Sequence, residues 1–127
     1  MTQPAYGPYT PIVRAGDYYY VSGQIGVSTS TKTAPDNIAE QAAQTLHNLR
    51  SVLEAAGLTM NDVVKTTVFL TDMGHFGEFN EVYMQYFEAP RPARSCIAVR
   101  ELPRVGGGTD LLVEIEAVAY RQGKDNA

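Results

Sequence analysis

The strongest constraint in the sequence is one long amphipathic helix that has to be covered. Between Pro35 and Gly57 the residues Ile38, Ala42, Leu46, Leu49, Leu53 and Ala56 recur at steps of three and four, which lines them along one side of an α-helix. Asn37 and Glu40 form an N-x-x-E capping pattern at its start. Gly57 follows the stripe and supplies the left-handed residue on which many helices end. An apolar stripe of this length cannot stay in water, so the remaining chain must offer it an apolar surface.

β-Sheet segments can supply that surface. Residues 17–25 (DYYYVSGQI) and 63–70 (VVKTTVFL) are rich in aromatic and β-branched types, the composition of strands. Two more strands are expected at about 94–102 and 111–121, separated by a loop containing Gly106–Gly108. A second helix is predicted over Gly74–Phe87, with Phe76, Phe79, Tyr83 and Tyr86 along one side and Ala89-Pro90-Arg91-Pro92 as its stop. The first ten residues read as extended or turn-like and 26–36 as a polar loop. The element order implies an α+β fold, a single sheet with two helices packed on one face. At 127 residues the chain is expected to be one domain, 1–127.

Strand alternation assigns faces. In the last strand Val113, Ile115, Ala117 and Ala119 make an unbroken apolar face, opposite Glu114 and Glu116. In the strand before it, Ser95, Ile97 and Val99 share one face, and Arg94, Cys96, Ala98 and Arg100 share the other. If the apolar faces meet the helices, then two arginines, a thiol and two carboxylates lie together on the uncovered side. Leu112, Val118 and residues of the 63–70 strand would make that side too apolar for a monomer. A second copy of the chain is therefore expected to cover it, with the charged groups lining a cleft between subunits.

Composition removes several functional classes. A hydrophobic fraction of 44% with 19% charged residues is that of a globular protein. A net charge of −4 argues against nucleic acid as a partner, because phosphate binding needs cationic surface. One cysteine and two histidines exclude an internal disulfide and make no typical structural zinc site. No apolar run approaches a membrane span, and the N-terminus lacks the pattern of a secretory signal, so the expected location is cytoplasmic. Gly106–Gly108 is not followed by a phosphate-loop pattern, His47 and His75 have no spaced partners, and Cys96 has no evident triad around it.

The segments GPY (7–9), VSGQI (21–25), AAQTLHNLRSVLEAAG (42–57), VVKTTVFLTDM (63–73), FNEVYMQYF (79–87), PARSCIAV (92–99) and VEIEAVA (113–119), in this order and spacing, resemble the Rid family of reactive-intermediate deaminases. That family is also called the YjgF or endoribonuclease L-PSP family, and the resemblance covers nearly the whole chain. It implies a chorismate-mutase-like fold with a mixed sheet, assembled as a homotrimer with sites at the subunit interfaces. It also implies hydrolysis of enamine and imine acids such as 2-aminoacrylate and 2-iminobutanoate to 2-oxo acids and ammonia. Pyridoxal-phosphate enzymes release these intermediates, so the role is one of metabolite damage control, with no cofactor or metal.

By motif, the resemblance makes Arg94 the clamp for the substrate carboxylate, a task suited to a planar guanidinium that makes two parallel bonds. Glu114 is then the group that holds or activates water, helped by Tyr9 from the neighbouring subunit. Gly23 and Cys96 would line the pocket through backbone or small-atom contact, and Asn80 would stand near the site. The sequence departs from archetypal members in two places. Gly26 stands where many relatives carry proline, which is expected to loosen that turn, and the connection RVGGGTDLLV (104–113) is longer and could reshape the pocket mouth. Two alternatives are an endoribonuclease or translation inhibitor, as one family name suggests, and a non-catalytic trimer that binds a metabolite or acts as a chaperone.

Overall fold

The helix predicted from the apolar stripe is α1, Ile38–Ala55, in a computed structural model that describes residues 6–105 and 108–123. Asn37 caps it, its side-chain oxygen accepting from the Glu40 backbone N–H at 2.9 Å. At the other end Gly57 turns with φ +80°, and the Leu58 N–H returns to the Leu53 carbonyl at 2.9 Å. The strands are β1 (Ile12–Ala15), β2 (Tyr18–Ile25), β3 (Val63–Leu70), β4 (Ala93–Ala98) and β5 (Val113–Tyr120), and the second helix is α2 (Phe76–Tyr83).

The five strands make one mixed sheet in the order β1-β2-β5-β3-β4. β3 and β4 are parallel and every other pair is antiparallel. Because β5 pairs antiparallel with both β2 and β3, those two strands run the same way and α1 is their crossover. α2 serves the parallel pair β3–β4 in the same manner. Both helices share one core with the sheet: Leu46, Leu49, Leu53 and Phe79 are buried against Val68, Leu70, Val113 and Ile115. No helix among the described residues is long and apolar enough to cross a membrane.

The bounds differ from expectation in instructive ways. β1 lies in a stretch for which no strand was predicted, and it is tied to β2 through the register Ile12↔Val21 to Ala15↔Tyr18. α2 stops at Tyr83 rather than Phe87, because the Gln85 and Tyr86 N–H groups bond three residues back, to Val82 and Tyr83, at 3.0 Å, which tightens the end into single turns. Of the loop Gly106–Gly108, Gly106 and Gly107 lie outside the described residues. Gly26 packs closely on α1. A Cβ there would stand 2.7 Å from the Gln41 carbonyl oxygen, so its absence serves contact rather than looseness.

One face assignment is overturned. β5 follows the prediction: Val113, Ile115, Ala117 and Ala119 are buried beneath the helices, and Glu114 and Glu116 point to the bare side. β4 is turned the other way. Its parallel register sets Arg94 beside Thr66 and Cys96 beside Val68, and both β3 partners are fully buried on the helix side. Arg94 and Cys96 therefore face α2, while Ile97, 47% exposed, lies on the bare side. Arg100 lies beyond the end of β4 and is exposed. The physical reason is that α2 offers this edge strand aromatic rings and an amide oxygen, which suit a guanidinium better than an aliphatic side chain.

Two buried amides on α1 lock the loops that carry the bare-side residues. Gln41 donates to the Pro35 and Asp110 carbonyls at 2.8 Å and accepts from the Leu112 N–H at 2.8 Å. Asn48 donates to the Ile25 and Val27 carbonyls at 2.8 and 2.9 Å. The end of β2 and the start of β5 are thereby fixed to the same helix.

Candidate active site

The residues singled out in the sequence separate into two clusters. The first lies where α2 meets β4. Arg94 Nη1 donates to Asn80 Oδ1 at 2.8 Å. The guanidinium carbon stands 4.9 Å from the centre of the Tyr83 ring and 5.5 Å from that of Phe76, both within the range of cation–π attraction. The Tyr83 hydroxyl is paired with the Thr66 hydroxyl at 2.7 Å in a buried contact. Arg94 is half-buried and held from three directions, and with one N–H on Asn80 it keeps further donors for a ligand.

Cys96 belongs to this cluster as a half-buried thiol packed against the core. Burial pushes the Cys96 pKa up, against the opposing pull of the Arg94 charge. It is thus held as a thiol rather than a nucleophilic thiolate. The Tyr83 hydroxyl is likewise raised, chiefly by burial, so it stays a neutral hydrogen-bonding group.

The second cluster lies on the bare side, around Glu114. A cavity of about 340 Å³ there is walled by Tyr6, Tyr9, Ile25, Pro103 and Val105, with Glu114 among its polar groups. Gly23 makes room for the carboxylate, since a Cβ at that position would overlap it and stand 2.7 Å from the Glu114 Cδ. The register explains why Gly23 sits there: Val21 pairs with Ala117 but Gln24 with Ile115. β2 therefore carries an extra residue, a bulge, at 22–23. Tyr9 is brought in by the preceding segment, which the Ser22 hydroxyl and N–H tie down through the Thr10 and Pro11 carbonyls at 2.6 and 2.9 Å. The Tyr9 hydroxyl accepts from the Tyr6 N–H at 3.0 Å.

Glu114 has an unusual setting for a carboxylate. Burial, and then the charge of Glu116, raise its pKa above the ordinary value. A carboxyl so placed is a better proton acceptor once ionised than a solvated one. Lys65 lies across the sheet in a groove shared with Glu116.

Within one chain the sheet stands between the clusters: Arg94, Asn80 and Cys96 are on the helix side, and Glu114, Gly23 and Tyr9 on the bare side. Tyr9 thus shares the Glu114 cavity of its own chain rather than reaching Glu114 from a neighbouring subunit as expected. Sequence reasoning missed Tyr83 and Thr66 as supports of Arg94, reading Tyr83 as one of a stripe of packing aromatics. It also missed Tyr6, Ile25, Pro103 and Val105 as cavity walls; Pro103 and Val105 lie in or beside the lengthened connection, the one signal that pointed there. Neither histidine joins a cluster: His47 is exposed on α1, and His75 lies in the turn before α2. Among the described residues, no three His, Cys, Asp or Glu side chains gather as a metal-holding group.

The chain has well-defined relatives. The model of the family described as Endoribonuclease L-PSP matches residues 1–121. A RutC family protein of Pyrococcus horikoshii is 42% identical over 117 residues, covering 91% of this chain and 89% of its own. The 2-iminobutanoate/2-iminopropanoate deaminase of Escherichia coli is 43% identical over 121 residues, covering 93% of this chain and 91% of its own. A crystal structure of Escherichia coli TdcF with bound serine superposes with a TM-score of 0.86 at 40% identity, over 95% of this chain and 94% of that one. By sequence along its length and by fold, the chain belongs to the endoribonuclease L-PSP family, the Rid or YjgF proteins.

Proposed function

We propose that the protein is a deaminase that hydrolyses reactive 2-enamine and 2-imine acids to 2-oxo acids and ammonia. The relative named 2-iminobutanoate/2-iminopropanoate deaminase supports the reaction, and TdcF with bound serine supports a small ligand bearing a carboxylate. The observation that carries the reading is the division of the site: a guanidinium cluster on one side of the sheet and a raised carboxyl in a cavity on the other. Two copies of the chain, stacked with the helix edge of one over the bare side of the next, unite them. The bare side suits such a partner, since Val13, Tyr20 and Ile97 are 50%, 49% and 47% exposed there, a large apolar area for a free surface. We read the assembly as a homotrimer with one site per interface, each subunit a single domain of the chorismate-mutase-like kind.

The chemistry then follows from the groups present. Arg94 grips the substrate carboxylate through its free N–H donors, while Asn80 holds the guanidinium in place. Cys96 borders the bound acid as a small neutral group, and Gly23 leaves space for the Glu114 carboxylate. Glu114 accepts a proton from a water as the water oxygen bonds to the imine carbon, and the imine nitrogen takes up a proton. The resulting amino alcohol collapses: its hydroxyl proton is lost, nitrogen gains a proton and leaves as ammonia, and a carbonyl remains. Tyr9 helps hold the water. Protonation of an enamine at carbon gives the protonated imine, which enters the sequence with its nitrogen proton already in place. Positioning supplies most of what is needed, because an imine carbon is already electrophilic. The supply of substrate comes from pyridoxal-phosphate enzymes acting on serine or threonine, and we assign the protein to the cytoplasm beside them.

The test is complementation between two inactive variants. Coupled to a threonine dehydratase, the wild-type protein accelerates formation of 2-oxobutanoate, and Arg94→Ala and Glu114→Gln each abolish the acceleration. Co-refolding the two variants restores part of it, because some interfaces then pair an intact Arg94 with an intact Glu114. Failure of mixed protein to recover any activity, although it assembles, overturns the shared site.

A further inference from the structure

The cavity beside Glu114 carries information on substrate choice that the carboxylate clamp does not. Its volume in the single chain, about 340 Å³, lies within the range of small-molecule sites. Glu114, Glu116, Ser22 and the tyrosines Tyr6 and Tyr9 bring polar groups to it, whereas Ile25, Pro103 and Val105 make one wholly apolar wall. Along Ile25, Pro103 and Val105 a polar substituent would lose hydration without a side-chain partner, and an anionic one would also meet the carboxylates of Glu114 and Glu116.

The 102–105 segment is anchored, which lets it act as a fixed wall. Leu102, Val105 and Ile25 pack on a small second core made of Val27, Ala34 and Leu111. The far end of the same connection is held at Asp110 and Leu112 by the buried Gln41 amide. Val105 thus touches this second core while it lines the cavity, and its position is set by packing.

Resting on the shared-site reading above, we propose that Pro103 and Val105 form a side-chain subsite that selects 2-imino acids with large apolar side chains over the alanine- and serine-derived ones. With the carboxylate on Arg94 of one copy and the reacting carbon at Glu114 of the next, the substituent lies along Ile25, Pro103 and Val105. Each methylene buried in a fitted apolar pocket is worth about tenfold or more in kcat/KM.

The experiment generates imines in place from leucine, methionine and alanine with an L-amino-acid oxidase and catalase. It measures kcat/KM by competition with semicarbazide trapping. The wild-type protein is expected to favour the leucine-derived imine over the alanine-derived one by about tenfold or more. In Val105→Asn that ratio falls about tenfold, and Val105→Leu, which keeps the wall apolar, retains it. A wild-type protein that hydrolyses imines but prefers the alanine-derived one overturns the subsite and leaves the shared site standing. So does a Val105→Asn variant with an unaltered ratio. Wild-type protein that hydrolyses none of the imines removes the deaminase reading itself, and the subsite with it.

Discussion

The Arg94 guanidinium lies over the Tyr83 ring at 4.9 Å, and that ring is pinned by a buried hydroxyl pair between Tyr83 and Thr66 at 2.7 Å. Helix α2 and strand β3 are thus joined directly beneath the proposed carboxylate clamp. If the ring sets the guanidinium's direction, removing it affects substrate capture more than chemistry. Tyr83→Leu is expected to raise KM about tenfold or more with a smaller change in kcat, since a cation–π contact and its packing are worth about 1–2 kcal/mol. Tyr83→Phe keeps the ring and recovers most of the loss. Equal loss in the two variants would assign the effect to the hydroxyl pair instead.

Gly23 and Glu114 make a second dependence that is steric. A methyl group at residue 23 occupies the space of the Glu114 carboxylate, so Gly23→Ala must displace it. Because the obstacle is the end of a side chain, the fold survives and the site does not. Gly23→Ala is expected to reduce kcat at least a hundredfold while its thermal unfolding temperature stays close to that of the wild type, the loss typical of a displaced acid–base group. Near-normal turnover would show that the carboxylate can act from a different position.

The contrast between β4 and β5 shows which parts of this site can be read from sequence. β5 is paired on both sides, so its alternation of Val113, Ile115, Ala117 and Ala119 with Glu114 and Glu116 has one consistent solution, and the faces are legible. β4 is an edge strand, and Ile97 is free to face outward while Arg94 takes the aromatic partners on α2. Alternation alone gives its two faces but not which of them is inside. The bulge at 22–23 is hidden for a different reason: it is a mismatch in length between β2 and β5, which lie far apart in the chain. The fold class needed none of this, because α1 and the central strands carry it in their apolar periodicity. The family motifs named Arg94, Asn80, Cys96, Gly23, Tyr9 and Glu114, but only the register separates them into two groups.

The raised carboxyl predicts a pH dependence. Glu114 must be ionised to accept a proton, so activity is lost as pH falls through its pKa. Burial and the Glu116 charge place that pKa above the ordinary carboxylate range of about 4. The acid limb of kcat/KM, which reports the free enzyme, should therefore lie higher than for a solvated glutamate. In Glu116→Gln the neighbouring negative charge is gone while the burial remains, so the limb moves to lower pH without reaching the ordinary range. A limb that stays fixed or moves upward would mean that Glu114 is not the titrating group.

Asn48 tests whether the buried amides of α1 hold the site's loops. Its side-chain N–H groups satisfy the carbonyls of Ile25 and Val27, and its oxygen accepts from Gln44 Nε2 at 2.9 Å. Asn48→Leu keeps the number and branching of side-chain heavy atoms but leaves both carbonyls without that donor. Each unsatisfied buried group costs about 1–3 kcal/mol, so a loss of about 2–4 kcal/mol is expected in urea unfolding at fixed protomer concentration. Ile25 also walls the Glu114 cavity, and the same variant should lose turnover below the unfolding midpoint as the end of β2 is released. A stability loss under about 1 kcal/mol would mean that water reaches these carbonyls and that the helix does not anchor the strand.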